Sequence, residues 1–235
     1  HECVTTLMKE AFPVTFSLAL GAFTIWLLIG ISLGVIAARR KGKWQDRSST
    51  AFVLIGTSLP TFISGLLILL FVALKFNLLN PLDMGKWVSP FENPVRWAHV
   101  FIFPWITLAL ASAASYTRFT RSNVLETTNE DYIRTARAKG LSEKVILRKH
   151  TLRAALAPIV TLAGLDFAAL LGGAIITEGI FNLPGLGRLS IRAVLNDYDL
   201  PTIVATTILA ASFVVIMNLV VDIAYAYIDP RVRVQ

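Results

Sequence analysis

Glu130-Asp-Tyr-Ile-Arg-Thr-Ala-Arg-Ala-Lys-Gly-Leu-Ser-Glu-Lys-Val-Ile-Leu-Arg-Lys-His150 is a charged, helix-favouring stretch set between apolar runs long enough to cross a bilayer. Thr128-Asn-Glu-Asp131 before it has the S/T-x-x-D form of a capping box, with acids in the first turn. Helix-favouring residues run on to Gly140, which predicts a left-handed residue just past a helix end. Ser142 is then placed to cap a second helix, with Glu143 in its first turn and Arg148 and Lys149 near its end. The pattern is helix, glycine turn, helix: a rigid protrusion that a soluble partner could grip. Between Arg118 and Arg153 nine bases stand against the four acids Glu126, Glu130, Asp131 and Glu143. Composition alone would also allow a solvated loop resting on lipid headgroups.

Outward from this segment, five stretches carry about 20 apolar residues each, enough for a spanning helix. They are 12–38, 51–74, 100–117, 156–177 and 202–228. The first three hold no charge, the fourth only Asp166 and the fifth only Asp222. The expected fold is therefore an all-α polytopic bundle, one transmembrane domain over residues 1–235, with residues 118–153 as its polar loop. Sixteen of the 22 basic residues fall after the first and third spans or in the tail, the last including Arg231 and Arg233. The positive-inside rule puts these in the cytoplasm. Lys9, Lys75, Lys86, Arg96, Arg188 and Arg192 fall on the opposite side, so residue 1 is expected outside and residue 235 inside. His1-Glu2-Cys3 offers neither an initiator Met nor a basic leader, which leads us to expect an upstream span.

The same composition excludes other classes. With 55% hydrophobic and 16% charged residues and a mean hydropathy of +0.65, the chain is not a soluble globule. A net charge of +7 could suggest nucleic acid, but the bases cluster between apolar runs, so no nucleic-acid partner is expected. One cysteine, Cys3, rules out an intrachain disulfide or a cysteine metal cluster. The histidines at 1, 99 and 150 are too scattered for zinc, and H-E-x-x-H is absent. No G-x-x-x-x-G-K-[ST] is present to cradle nucleotide phosphates, and Ser64-Gly65 lacks the surroundings of an intramembrane serine protease. No catalytic residue, metal site or cofactor of its own is expected.

Within the spans, Gly30-x-x-x-Gly34, the alanines at 109, 111, 113 and 114, and Gly164, Ala168, Gly172 and Gly173 suit close helix packing. Pro60 should kink the second span, with the Thr57 and Ser58 hydroxyls free to re-satisfy a released carbonyl. Trp87, Trp97 and Trp105 read as an interfacial aromatic belt. Pro184-Gly-Leu-Gly187 predicts a turn, and Arg188 to Leu195 a short amphipathic helix on the outer face that would receive cargo.

The order Arg134-Thr135-Ala136, three residues, Gly140, nine residues, His150-Thr-Leu152 resembles the EAA loop of ABC-importer permeases. That family's consensus is Glu-Ala-Ala, three residues, Gly, nine residues, Ile-x-Leu-Pro. Here Arg134 and Thr135 replace Glu and the first Ala, His150 replaces Ile and Arg153 replaces Pro. These departures are similar to the B-type subunits of the dipeptide, oligopeptide and nickel branch. Tyr116-Thr-Arg118-Phe-Thr-Arg121, Ile180-Phe-Asn-Leu-Pro-Gly-Leu-Gly187, Ser58-Leu-Pro60 and Asp229-Pro230-Arg231 extend the resemblance over nearly the whole chain. It implies half of a translocation path in a bacterial or archaeal cytoplasmic membrane, for dipeptides or oligopeptides; relatives also carry nickel chelates, glutathione or haem. It implies a companion C-type permease, two cytoplasmic ATPases that bind ATP and Mg, and an extracytoplasmic substrate-binding protein. Arg134, Thr135, Ala136, Arg137, Lys139, Gly140, Leu141 and Ser142 would enter an ATPase groove.

Two further residues are expected to line the translocation path, Pro60 and Asp166. Asp166 is about ten residues into its span, ~15 Å deep, where an ionised carboxylate facing lipid is costly. It should face the bundle interior or a watery path, either binding a cationic group of the cargo or hydrogen-bonding a neighbouring helix. An ion-coupled secondary transporter using Asp166 and Asp222 is the rival from another class, but it would have no use for a rigid charged loop.

Overall fold

The computed structural model describes residues 3–75, 85–171 and 174–228, and among these the regular elements are all helices, without a strand. Apolar stretches of this length can satisfy their backbone groups in lipid only internally, which makes helix the available form. The long elements are α1 (Val4–Arg39), α4 (Pro94–Thr128) and α10 (Leu200–Ile228). α6 (Glu143–Val145), a π-helical stretch Ile146–Thr151 and α7 (Leu152–Leu171) join into a fourth. The second expected span is broken: α2 (Trp44–Ser58) stops before Pro60, and α3 (Thr61–Leu67) restarts after it with a bend of 100°. Among the described residues four helices, or five with the bent pair, are long and apolar enough to cross a membrane.

The break at Pro60 follows from the missing N–H and the ring clash of proline. Pro60 itself is extended, φ −56° and ψ 141°. The Thr57 and Ser58 hydroxyls donate to Val53 O at 2.8 Å and Leu54 O at 2.6 Å, not to the Gly56 carbonyl that the proline releases.

The chain forms two compact units. One comprises His1–Ile25, Leu59–Ala111 and Asp166–Met217. Its core packs Ala19 on Phe167 and Leu171, with Phe23, Phe213 and Met217 around them, and Phe12 stacks on Phe213 at 5.2 Å. Trp97 and Trp105 meet edge to face at 4.8 Å, and Trp105 donates its ring N–H to Ser17 O at 2.9 Å from a 7% exposed position. That corrects the interfacial-belt expectation for Trp105: its ring fills space above Gly21 inside the unit. α8 (Ile175–Ile180) and α9 (Leu186–Arg192), the latter running on helically to Asp197, also belong here. Of the expected fourth span, residues up to Leu171 lie in α7, and Thr177 is buried in α8.

The other unit comprises Trp26–Ser58, Ser112–Leu165 and Asn218–Gln235. Here Gly30 and Gly34 of α1 lie directly on α4, as the spacing predicts. A Cβ at Gly30 would come within 2.6 Å of Tyr116 Cβ, and one at Gly34 within 2.5 Å of Thr120 Cβ. Ala38, Val124 and Ala155 continue the contact. Asp46, a lone acid among the bases after α1, takes Arg121 side-on, Nε–Oδ1 2.6 Å and Nη2–Oδ2 3.0 Å, and also accepts the Gly42 N–H at 2.9 Å. The bidentate geometry and a 6% exposed acid make this a rigid joint between the α1–α2 connection and α4. Gly172, Gly173, the basic tail at 231 and 233, and the side chain of Asp222 lie outside the described residues.

Candidate functional site

The charged loop takes a defined shape in the second unit. α4 continues to Thr128, whose hydroxyl donates to Val124 O at 2.6 Å, so Thr128 closes a helix and does not cap the next one. α5 (Asp131–Ala138) starts after Glu130, which has no side-chain cap bond. The capping-box expectation fails because the span simply extends further than its apolar composition suggests. Past α5, Gly140 has φ +78°. Its N–H bonds Arg137 O at 2.9 Å and the Leu141 N–H bonds Ala136 O at 3.3 Å, the two bonds of a Schellman motif. Ser142 stands at the N-cap position of α6, extended at φ −66° and ψ 146°, but its hydroxyl makes no capping bond. The second helix then runs without a stop into the membrane helix, which gives the loop a stiff base.

Ile133, Ala136 and Ile146 form a small apolar core that clamps α5 onto the π-helical stretch. Arg137 and Glu143 pair across the turn at 2.8 Å. Arg134, Thr135, Arg137, Lys139, Gly140, Leu141 and Ser142 are all exposed, together with Tyr132. Ala136 is not: it is 7% exposed and serves the clamp, so of the eight expected contact residues it alone points inward. The result is a basic surface that also exposes Tyr132 at the start of α5 and Leu141 just past the Gly140 turn.

Asp166 lies exposed on α7 rather than inside either core. Pro60 begins α3, whose Gly65 approaches Ile180 of α8. Pro60 and Asp166 both belong to the first unit, and the charged loop belongs to the second.

A second constellation in the first unit centres on Glu178, which our sequence reading missed. Its carboxylate is fully buried in α8. It accepts the Thr15 hydroxyl at 2.7 Å and the Arg188 N–H at 2.9 Å, and Thr15 Oγ1 accepts the Leu186 N–H at 2.8 Å. Burial pushes the Glu178 pKa up, while the Thr15 hydroxyl and the N–H groups of Arg188 and Gly187 pull against it. One acid thus ties α1, α8 and the start of α9 together. Gly185 is tightly placed beside it, since a Cβ there would collide with the carboxylate. The available signal was a carboxylate at the edge of an apolar run, just before the Pro184-Gly turn.

Beside this joint lies a cavity of about 690 Å³ between the start of α1 and the α8–α9 connection. Leu7, Pro13, Trp87, Pro184 and Leu189 contribute apolar surface, and Lys9, Glu10, Arg188 and Arg192 contribute charge. Among the described residues no three metal-ligating side chains come together.

Residues 30–234 match the family described as "Binding-protein-dependent transport system inner membrane component". A putative peptide transport system permease protein of Brucella abortus strain 2308 is 40% identical over 230 residues, covering 98% of this chain and 72% of its own length. A dipeptide transport system permease protein of Bacillus subtilis strain 168 is 35% identical over 232 residues, covering 99% and 71%. Among solved structures, an inward-facing MetNI methionine ABC transporter superposes with a TM-score of 0.74 at 19% identity, covering 97% of this chain and 99% of that one. At that identity the match speaks for the fold. The chain is a member of the binding-protein-dependent transport system inner membrane components, a polytopic membrane subunit of a transport system.

Proposed function

We propose that this chain is the permease subunit of an ATP-driven importer of dipeptides or oligopeptides, working beside a companion permease. The observation that carries it is the exposed helix–Gly140–helix loop, rigid and basic, on a membrane chain with no nucleotide-binding motif of its own. The relatives' names supply the cargo class. ATP and Mg belong to two cytoplasmic ATPases, one of which would hold the exposed residues from Arg134 to Ser142. Closure of the ATPases would then swing the helices between two states, a rigid-body switch. The chain itself carries out no chemical step. The charged side of the sequence faces the cytoplasm, and α8 and α9 face an extracytoplasmic binding protein.

α10 fits a subunit of this kind, since only 6% of its most apolar window is buried within the chain and the rest needs lipid or another subunit. The test is reconstitution of the chain with its companion permease, the ATPases and the binding protein in proteoliposomes. Uptake of a labelled dipeptide that requires both ATP and the binding protein is expected. Uptake driven by an ion gradient without ATP would restore the secondary-transporter alternative built on Asp166 and Asp222.

A further inference from the structure

The cavity beside Glu178 has the composition of a small-molecule site: apolar walls, a few convergent charges, and a volume within the ~300–1,000 Å³ range such sites occupy. Its charges have both signs. Lys9, Arg188 and Arg192 supply cations and Glu10 supplies one carboxylate. A simple anion site would not place a carboxylate at its edge, and a lipid-facing groove would not gather four charged side chains. Both charges at the edge of an apolar hollow complement a molecule that itself carries an ammonium, a carboxylate and an apolar body.

The walls are also held in place. One wall, Leu7 to Pro13, belongs to α1, and the other, Pro184 to Arg192, belongs to the turn and α9. Two buried bonds from Thr15, to Glu178 and to the Leu186 N–H, lock those walls together. Arg188 is oriented further by its guanidinium, which donates to Asn182 O at 2.9 Å. A site whose walls do not need ordering loses less on binding. The cavity's cations are also three of the few bases that charge asymmetry places on the outer side, where cargo would arrive.

We propose that this cavity binds the zwitterionic backbone of a short peptide, with Glu10 taking the terminal ammonium, Lys9 and Arg192 the terminal carboxylate, and the apolar wall one side chain. This rests on the importer reading above and adds a cargo-recognising site in the permease itself. Occupancy by an acidic loop of the binding protein is the competing outcome.

The experiment uses the assembled transporter in nanodiscs without binding protein, titrated with labelled dileucine, its N-acetyl form and its C-terminal amide. Dileucine is expected to bind about tenfold more tightly than either blocked form, the scale of one charged hydrogen bond. Glu10→Gln should weaken dileucine but leave the N-acetyl form unchanged. Arg192→Gln should weaken dileucine but leave the amide unchanged, a coupling that misfolding would not produce. Equal affinity for all three ligands, or equal losses for all three in each variant, overturns the proposal. So does a photo-crosslinker at Leu189 that captures the binding protein and never the peptide. Uptake of dileucine by the full system is measured in parallel. Normal uptake with no terminus-dependent binding removes the site and keeps the importer; terminus-dependent binding without ATP-driven uptake keeps the site and removes the importer.

Discussion

Gly140→Val tests the loop where its geometry is simplest. A Cβ at Gly140 meets nothing within 4 Å, so the substitution creates no clash and its whole cost lies in the backbone. At φ +78° an L-residue is held against Cβ and carbonyl sterics, at about 1–2 kcal/mol, and a β-branched residue stands at the upper end. That free energy shifts the turn's population by roughly 5–30-fold away from the Schellman form. Both bonds of the motif, Gly140 to Arg137 and Leu141 to Ala136, weaken with it. The Arg137–Glu143 pair spans the turn but sits in water, where screening leaves it little power to hold the old geometry. The membrane helices lie outside the change. In proteoliposomes, Gly140→Val should lower peptide uptake per ATP several-fold while helix content by circular dichroism stays at the parent level. Gly140→Ala should fall between, and Gly140→Asn, which tolerates the left-handed region, should stay near the parent. Parent-level uptake in Gly140→Val, with the turn shifted out of its left-handed form, would refute the link between this turn and coupling.

Glu178→Gln puts amide hydrogens where the Thr15 hydroxyl and the N–H groups of Arg188 and Gly187 need acceptors, so thermal unfolding should show a loss of about 1–3 kcal/mol. Thr15→Val should cost a similar amount, and the double variant less than the sum, because both break one network. Because the folded pKa of Glu178 is raised, its contribution is fully present below the ordinary carboxyl range of the unfolded chain and is lost as pH rises through the folded value. The stability gap between parent and Glu178→Gln should accordingly shrink as pH rises, and a widening gap would contradict this. Gly34→Val drives a side chain into Thr120 and the Thr117 carbonyl, and should destabilise by about 1–3 kcal/mol in detergent melts. Asp166→Asn removes charge at constant size; if the charge attracts the cargo's ammonium, uptake of free over amino-blocked peptide should fall, and an unchanged ratio leaves Asp166 a structural role.

What the sequence determined by itself was everything set by local rules. Apolar run length yields spanning helices because lipid leaves backbone groups no other partners, and Gly140 announces its left-handed turn because only backbone sterics decide it. Pro60 breaks its helix for the same kind of reason. The Gly30 and Gly34 spacing signalled a close contact without naming the partner, which only the packing of α4 supplies. Local rules misled where they had no force: Thr128 looks like a cap, yet the helix carries through it, and Trp105 looks interfacial, yet its N–H finds Ser17 O indoors. Tertiary structure alone decided the Glu178 joint and the cavity it braces. Thr15 and Glu178 are 163 residues apart, and a carboxylate becomes a buried acceptor only when distant N–H and O–H donors arrive around it together. The mixed charge of the cavity was hidden likewise, since Lys9 and Arg192 share an apolar hollow only after α1 and α9 are in place.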